Sequence, residues 1–120
     1  MAWTGVARLD ELPEGALTPA TAGRAALVLI RRGDRVDAIA SRCPHQGADL
    51  GEGLLTGHVD ATASGCLTMD ASRMILRCPW HGFEFDVLTG EALASSPAHR
   101  RLRLRRFAVR IRGGAVEVDA

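Results

Sequence analysis

Cys43-Pro44-His45 and Cys78-Pro79-Trp80-His81 are the two stretches that decide how this chain of 120 residues folds. Each stretch places one thiol and one imidazole within reach of the same small volume. The prolines restrict their own backbone and that of the residue before them, so both stretches are expected to be stiff loops rather than helix faces. Two thiolates and two imidazoles make a set of metal ligands. The sequence therefore predicts a metal centre held between two loops.

The chain around these loops is patterned as short strands. Residues 25–30 form an apolar run that predicts a strand buried on both faces. Residues 32–35 supply a hairpin turn in which Gly33 tolerates positive φ, and residues 36–40 return as the partner strand. The sequence has no convincing long amphipathic helix. Further strands are expected at residues 74–77, 83–87, 102–111 (with a β-bulge at Arg105-Arg106) and 116–118, so the expected fold class is all-β.

Composition places the chain among globular proteins of one domain. Hydrophobic residues make up 47% of it and the formal net charge is +1, which argues against a disordered polypeptide. The longest apolar run, residues 25–30, is far too short to span a bilayer, and the first residues lack a basic and then apolar leader. We therefore expect a cytoplasmic protein without a membrane partner, in which thiols stay reduced.

Arginines are concentrated in residues 100–112, which include Arg100, Arg101, Arg103, Arg105, Arg106, Arg110 and Arg112. The alternation of arginine with apolar residues predicts a solvated strand face, and a docking patch for an acidic redox partner is the alternative. Nucleic acid is not an expected partner, because Phe107 is the one aromatic residue of this stretch and lies in its apolar phase.

The mixed Cys–His pairing favours an iron–sulfur cluster over zinc. Structural zinc fingers pair Cys with Cys and His with His across a hairpin and a helix, whereas each pair here is mixed and leads into a strand. Cys-x-His followed by Cys-x-x-His matches a 2Fe–2S centre with two Cys on one iron and two His on the other. A zinc site and a metal-free scaffold are the alternatives.

Residues beside the four ligands are expected to support the cluster. Backbone N–H groups around Gly47 and Gly82 are expected to donate hydrogen bonds to cluster sulfur, and the Trp80 ring is expected to cover the cluster and exclude water. Prolines next to the ligands limit movement of both loops. The expected supporting residues are Pro44, Gln46, Gly47, Pro79, Trp80 and Gly82.

Residues 43–50 and 78–86 resemble the two cluster-binding loops of Rieske-type ferredoxins, and the similarity extends from residues 10–13 to residues 89–93. The resemblance implies one Rieske 2Fe–2S cluster, with Cys43 and Cys78 on the inner iron and His45 and His81 on the outer iron. It also implies a single domain over residues 1–120, built as an antiparallel β sandwich of three sheets. A small cluster-binding subdomain, about residues 42–85, would lie at one tip.

Four positions within the resemblance indicate a subtype. Respiratory Rieske proteins carry a further cysteine in each loop, joined as a disulfide, where this chain has Ala48 and Trp80. They also carry a serine and a tyrosine, which donate hydrogen bonds to sulfur, where this chain has Phe83 and Phe85. Because fewer hydrogen bonds to sulfur stabilise the reduced state less, the resemblance implies a low potential within the Rieske range.

The function implied by the resemblance is one-electron transfer. The chain would be a monomeric carrier, not an enzyme by itself, that takes electrons from a flavin reductase and passes them to an oxygenase of aromatic or other catabolic substrates. One alternative is the small Rieske subunit of a larger redox enzyme such as nitrite reductase. The other is a zinc-stabilised interaction module.

The segment between the two loops is longer than in common Rieske ferredoxins, with 32 residues between His45 and Cys78. The added part, about residues 57–73, is rich in small and polar residues, and we expect an extended surface insertion; a partner-recognition flap is the alternative. Cys66 within it is expected to be a bystander. His58 and His99 lack neighbouring ligands at metal-site spacing and are expected to be surface residues.

Overall fold

The computed structural model describes residues 2–44, 47–61, 67–79, 83–93 and 101–120, and from 56 to 61 and 67 to 73 it describes the backbone alone. Two 3-10 turns occupy Leu9–Glu11 and Leu50–Glu52. No helix in the described ranges is long and apolar enough to cross a membrane. The strands are β1 (Trp3–Arg8), β2 (Leu17–Ala22), β3 (Ala25–Arg32), β4 (Arg35–Ala40), β5 (Leu54–Ala61), β6 (Leu67–Arg77), β7 (Glu84–Asp86), β8 (Arg106–Arg112) and β9 (Ala115–Asp119).

The described strands form three antiparallel sheets, in the orders β1-β9-β8, β4-β3-β2 and β5-β6-β7. The first two sheets join into one six-stranded sheet where β4 meets β8, at the pairs Ala38↔Phe107 and Ile39↔Arg106. The third sheet carries the second predicted metal loop. The expected all-β antiparallel architecture is therefore confirmed, with two of the three expected sheets continuous through the β4–β8 pairing.

The β3–β4 hairpin forms as the sequence predicts. Arg32 pairs with Arg35 across the turn, and Gly33 has a φ of 63°, a left-handed conformation that side chains with a Cβ rarely adopt. Residues 27–30 of β3 are all buried. Since successive side chains of a strand point to opposite faces, β3 separates two apolar clusters.

The first of these clusters, called here the ligand-side cluster, contains both predicted cysteine ligands. Its buried members are Val28, Ile30, Ile39, Cys43, Ala48, Leu50, Leu76, Cys78, Phe85, Val87, Ala92 and Leu104. The second, called the distal cluster, packs the opposite face of β3 against β9, and its buried members are Leu12, Ala22, Leu27, Leu29, Val36, Ala38, Val116 and Val118. The core thus has a separate compartment for the predicted metal loops.

The expected long strand over residues 102–111 was wrong in its first part, because β8 begins at Arg106. Leu104 lies before the strand, and its N–H donates to the Gly90 carbonyl at 2.9 Å. Its side chain belongs to the ligand-side cluster, whereas Phe107 packs against the distal cluster. The slip in the apolar alternation therefore marks a crossing between the two clusters rather than a β-bulge.

The added segment between the loops, about residues 57–73, is largely a hairpin rather than an irregular excursion. β5 and β6 pair from Leu54↔Arg77 to Ala61↔Leu67. Their register shifts between Gly57 and His58, where three extra residues lie on the β6 side. That shift breaks the period of two and explains why the strands were not predicted. Cys66 and the side chain of His58 lie outside the described residues.

Asp37 is a buried carboxylate that joins two sheets. It is 7% exposed; its Oδ2 accepts from Arg32 Nε at 2.9 Å on β3, and its Oδ1 accepts from Arg106 Nη2 at 3.1 Å on β8. Both guanidinium groups are partly exposed and can be rehydrated. The carboxylate therefore bridges β3 and β8 near the place where β4 and β8 pair.

Asp37→Ala is expected to lower the free energy of unfolding by about 1–2 kcal/mol, because two charge-assisted hydrogen bonds are lost while the arginines regain water. Asp10→Ala is the matched control, since Asp10 and Arg8 are exposed and 3.7 Å apart, and its expected change is within about 0.5 kcal/mol. Urea unfolding of both variants measures the difference. Equal effects would contradict a bridging role for Asp37.

Candidate metal centre

The two predicted metal loops are built in the same way. Arg42 and Asp49 pair across residues 43–48, and Arg77 and Glu84 pair across residues 78–83. In the first loop the Cys43 N–H donates to the Ala48 carbonyl at 2.9 Å; in the second the Cys78 N–H donates to the Phe83 carbonyl at 2.7 Å. Each cysteine is therefore the first residue of a loop whose two ends are tied together.

Gly47 closes the first loop from inside. Its φ is 75°, and its N–H donates to the Cys43 carbonyl at 2.7 Å. The sequence predicts that N–H groups of residues 46–48 donate to cluster sulfur; the Gly47 N–H is engaged with the backbone, and the prediction for the segment as a whole stays a prediction. The glycine is needed here because the turn requires a left-handed residue.

Cys43 and Cys78 are buried, with 2% and 3% of their surface exposed. They come from different loops, yet both pack into the ligand-side cluster. Thiolates are the ligands that iron–sulfur clusters and zinc prefer, and a buried thiolate needs a cation to offset the loss of water. The two cysteines thus fit one buried metal group.

Several predicted site residues lie outside the described part of the chain: His45, Gln46, Trp80, His81 and Gly82. Pro44 and Pro79 are described and exposed beside their buried cysteines. Among the described residues, no group of three or more His, Cys, Asp or Glu side chains could hold a metal ion. The complete ligand set is therefore a proposal that needs the two histidines.

Gly53 is a site residue that the sequence analysis missed. It lies next to β6, which ends at Arg77 just before Cys78, and a Cβ atom built on it would overlap the Arg77 carbonyl oxygen. The signal in the sequence was the repeated glycine of Gly51-Glu52-Gly53, just after the first loop. Nothing in the sequence alone distinguishes which of the two glycines makes the close approach.

Comparison with known families identifies the family to which a chain with these two loops belongs. Residues 2–108 match the family model described as Rieske [2Fe-2S] domain. The chain belongs to the Rieske domain family. Members of this family hold a Rieske-type 2Fe–2S cluster, so the cofactor expected from the resemblance is confirmed and zinc is not.

Among curated relatives of this Rieske domain is ferredoxin CarAc of Metapseudomonas resinovorans, 32% identical over 117 residues that cover 97% of this chain and 92% of that protein. The apoptosis-inducing factor 3 proteins of mouse and human also match over 86 residues. The match spans 12% of their length. Similarity to the Rieske part of such larger proteins does not carry over their activities.

Solved structures share the fold over nearly the whole Rieske domain. The ferredoxin of carbazole 1,9a-dioxygenase from Nocardioides aromaticivorans IC177 is 30% identical with a TM-score of 0.75, covering 98% of this chain and 97% of that one. A ferredoxin in a complex of reduced oxygenase and oxidized ferredoxin in carbazole 1,9a-dioxygenase is 31% identical with a TM-score of 0.69, covering 97% and 91%.

Three of the residues that indicate the subtype of Rieske domain, Ala48, Phe83 and Phe85, lie in apolar surroundings. Ala48 is buried next to Cys43, and Phe85 is fully buried behind the second loop. The Phe83 and Phe85 rings lie 5.2 Å apart between centroids, with a tilt of 43°. Neither ring carries a hydroxyl, so these two positions cannot donate a hydrogen bond from the side chain to sulfur.

The arginines of residues 100–112 are partly used within the Rieske domain itself. Arg106 binds Asp37, and Arg110 Nε donates to Glu117 Oε1 at 2.6 Å while its guanidinium lies 4.3 Å from the Trp3 ring centroid. Arg105 lies 4.8 Å from the Phe107 ring centroid. These contacts support the expectation of a solvated strand face. Arg100 and His99 lie outside the described residues.

Proposed function

We propose that this protein is a one-electron carrier whose Rieske cluster is held by Cys43, His45, Cys78 and His81. The observation that carries the proposal is the pair of matching loops, each of which delivers one buried cysteine to the same apolar cluster. The family supplies the cluster type. The assignment of these four residues as ligands is supported by their chemistry, because a Rieske cluster takes two Cys on one iron and two His on the other.

The cluster, when bound, supplies a site that accepts and releases one electron. The residues of this chain set its surroundings. Cys43 and Cys78 would hold one iron on the buried side, while Leu76 and Phe85 exclude water behind them. The tied ends of both loops limit rearrangement of the ligands when the charge changes, which favours rapid transfer. His45 and His81 would hold the other iron.

Partners and context form the finer part of the proposal. We infer a flavin-dependent reductase as electron donor and an oxygenase as acceptor, supported by the relatives from dioxygenase systems and by the oxygenase–ferredoxin complex of one of them. The chain would act as a monomer of one domain, with residues 42–85 as its cluster-binding part. We also propose a cytoplasmic location, where reducing conditions keep cysteine ligands in the thiolate form.

Spectroscopy of the purified protein tests the cluster. We expect a red-brown protein that binds two irons and two sulfides per chain and gives the EPR signal of a reduced Rieske centre. A colourless protein that binds zinc would overturn the proposal. Electron transfer from a flavin reductase to an oxygenase, measured with and without this protein, tests its role as carrier.

Protein-film voltammetry tests the expected low potential. The Rieske range is about −150 to +300 mV, and we expect a midpoint in its lower part because Phe83 and Phe85 carry no hydroxyl donors. Phe85→Tyr is expected to raise the midpoint if its new hydroxyl reaches sulfur, and Phe107→Tyr on the distal cluster is the control. A wild-type midpoint well above zero would contradict the expectation.

A further inference from the structure

Gly53 is required by packing and not by its backbone conformation. Its φ of −77° is open to any residue. A Cβ at this position would nevertheless overlap the Arg77 carbonyl oxygen, and it would lie 3.2 Å from both the Leu50 carbonyl oxygen and Leu76 Cδ1. Two of these three contacts are with backbone oxygen atoms, which cannot be relieved by a change of rotamer as a contact with a side chain can.

This contact is important because it brings together the segment that follows the first metal loop and the strand that leads into the second. On the first side, the Leu50 N–H donates to the Ser41 carbonyl at 2.7 Å, and the Gly53 N–H donates to the Leu50 carbonyl at 3.1 Å. These bonds tie Gly53 to the chain on both sides of the first loop. On the second side, the carbonyl of Arg77 belongs to the peptide bond that leads into Cys78.

The backbones that support the two loops are also joined by strand pairing. The ladder between β5 and β6 begins at the next residue, Leu54↔Arg77, and so presses the two supports together. A groove lined by Glu52, Gly53, Leu54, Arg77, Cys78 and Pro79 opens at the same point. Any added atom at Gly53 must therefore displace the peptide of Cys78 or the turn that follows the first loop.

We propose that Gly53 is a positioning residue that sets the spacing between the thiolates of Cys43 and Cys78, and thereby the geometry and retention of the cluster. This inference rests on the proposed function, because it needs those thiolates to share one cluster. The spacing of the two thiolates is then fixed by the close approach of two backbone segments and not by a side chain.

Gly53→Ala tests the proposal, with Gly51→Ala as the matched control two residues away. A Cβ at Gly51 meets side-chain atoms alone, at 3.1 Å from Asp49 Oδ1, 3.6 Å from Pro19 Cγ and 3.7 Å from Val28 Cγ2. We expect Gly53→Ala to lose iron to a chelator about tenfold faster than wild type and to show shifted EPR g-values, a factor within the range of overpacking effects. Gly51→Ala is expected to match wild type in both measurements.

A wild-type spectrum and iron-loss rate in folded Gly53→Ala would overturn the inference. If that variant does not fold, the same measurements on Gly53→Ala/Leu76→Val decide, because the shorter side chain gives back room without moving the Arg77 carbonyl. An unshifted spectrum in the double variant also overturns the inference. A wild-type protein without a Rieske signal would instead refute the proposed function, so the two failures are distinguishable.

Discussion

Cys78→Ser should give a protein that retains almost no iron and has no Rieske EPR signal. Cys78 is 3% exposed, and the other described members of the ligand-side cluster are apolar apart from Cys43, so water is excluded and the serine hydroxyl is a poorer ligand for iron than the thiolate. Loss of an outer-shell partner already costs roughly 10–100-fold in metal affinity, and loss of a ligand should cost more. Iron and sulfide content, measured after anaerobic purification, gives the result.

Cys66→Ser is the matched control, because it makes the same change at the cysteine expected to be a bystander. It should keep the iron content and spectrum of wild type. Iron retained by Cys78→Ser, or lost in Cys66→Ser, would show that the ligand set is assigned incorrectly.

Phe85→Ala should lower the free energy of unfolding by about 3–5 kcal/mol, the largest effect expected for a residue that is not a ligand. Phe85 is 0% exposed, and its strand pairs with Leu76 of β6 and bridges to Ala92. Truncation therefore leaves a cavity in the ligand-side cluster. Guanidinium unfolding, followed by circular dichroism, measures the change.

Leu54→Ala provides the comparison for this experiment, since Leu54 is 57% exposed on the same sheet. Its expected change is within about 0.5 kcal/mol. A small loss in Phe85→Ala would mean that the surrounding side chains collapse into the space, and the role of Phe85 as the wall behind Cys78 would then be refuted.

The part of the fold that the sequence predicted well is the part where burial and turn chemistry agree. Residues 25–30 and the turn at Gly33 form as expected because a continuous apolar run and a left-handed glycine leave few alternatives. At these positions the hydrophobic pattern and the turn residues predict the same structure. The two predicted cysteine ligands are both buried in the ligand-side cluster, and their role as ligands stays a prediction.

Strands that form through their neighbours were missed. β2, with the sequence LTPATA, contains proline and alanines of low β propensity, yet it pairs with β3 from Leu17↔Ile30 to Ala22↔Ala25. β1 has a register shift between Gly5 and Ala7 that hides its alternation. Such strands depend on pairing with distant residues, which a local pattern cannot show.

The close approach at Gly53 was hidden for a related reason. A glycine that is needed for a positive φ can be recognised from neighbouring turn-forming residues, as at Gly33. A glycine that is needed because a Cβ would collide with another part of the chain cannot, because the colliding atoms are known only from the folded structure. Arg77, whose carbonyl occupies that space, is far along the chain. Sequence patterns predicted which residues could hold metal, while the spacing between the loops required the folded backbone.

The paired base of the β5–β6 hairpin also has a practical consequence for protein engineering. Because the pairs from Leu54↔Arg77 to Ala61↔Leu67 tie the two strands together, and a longer connection adds little loop-closure entropy, an inserted peptide should leave these pairs in register. A short fluorescent or affinity peptide could therefore be grafted between Ala61 and Leu67, giving a labelled electron carrier for single-molecule or pull-down work.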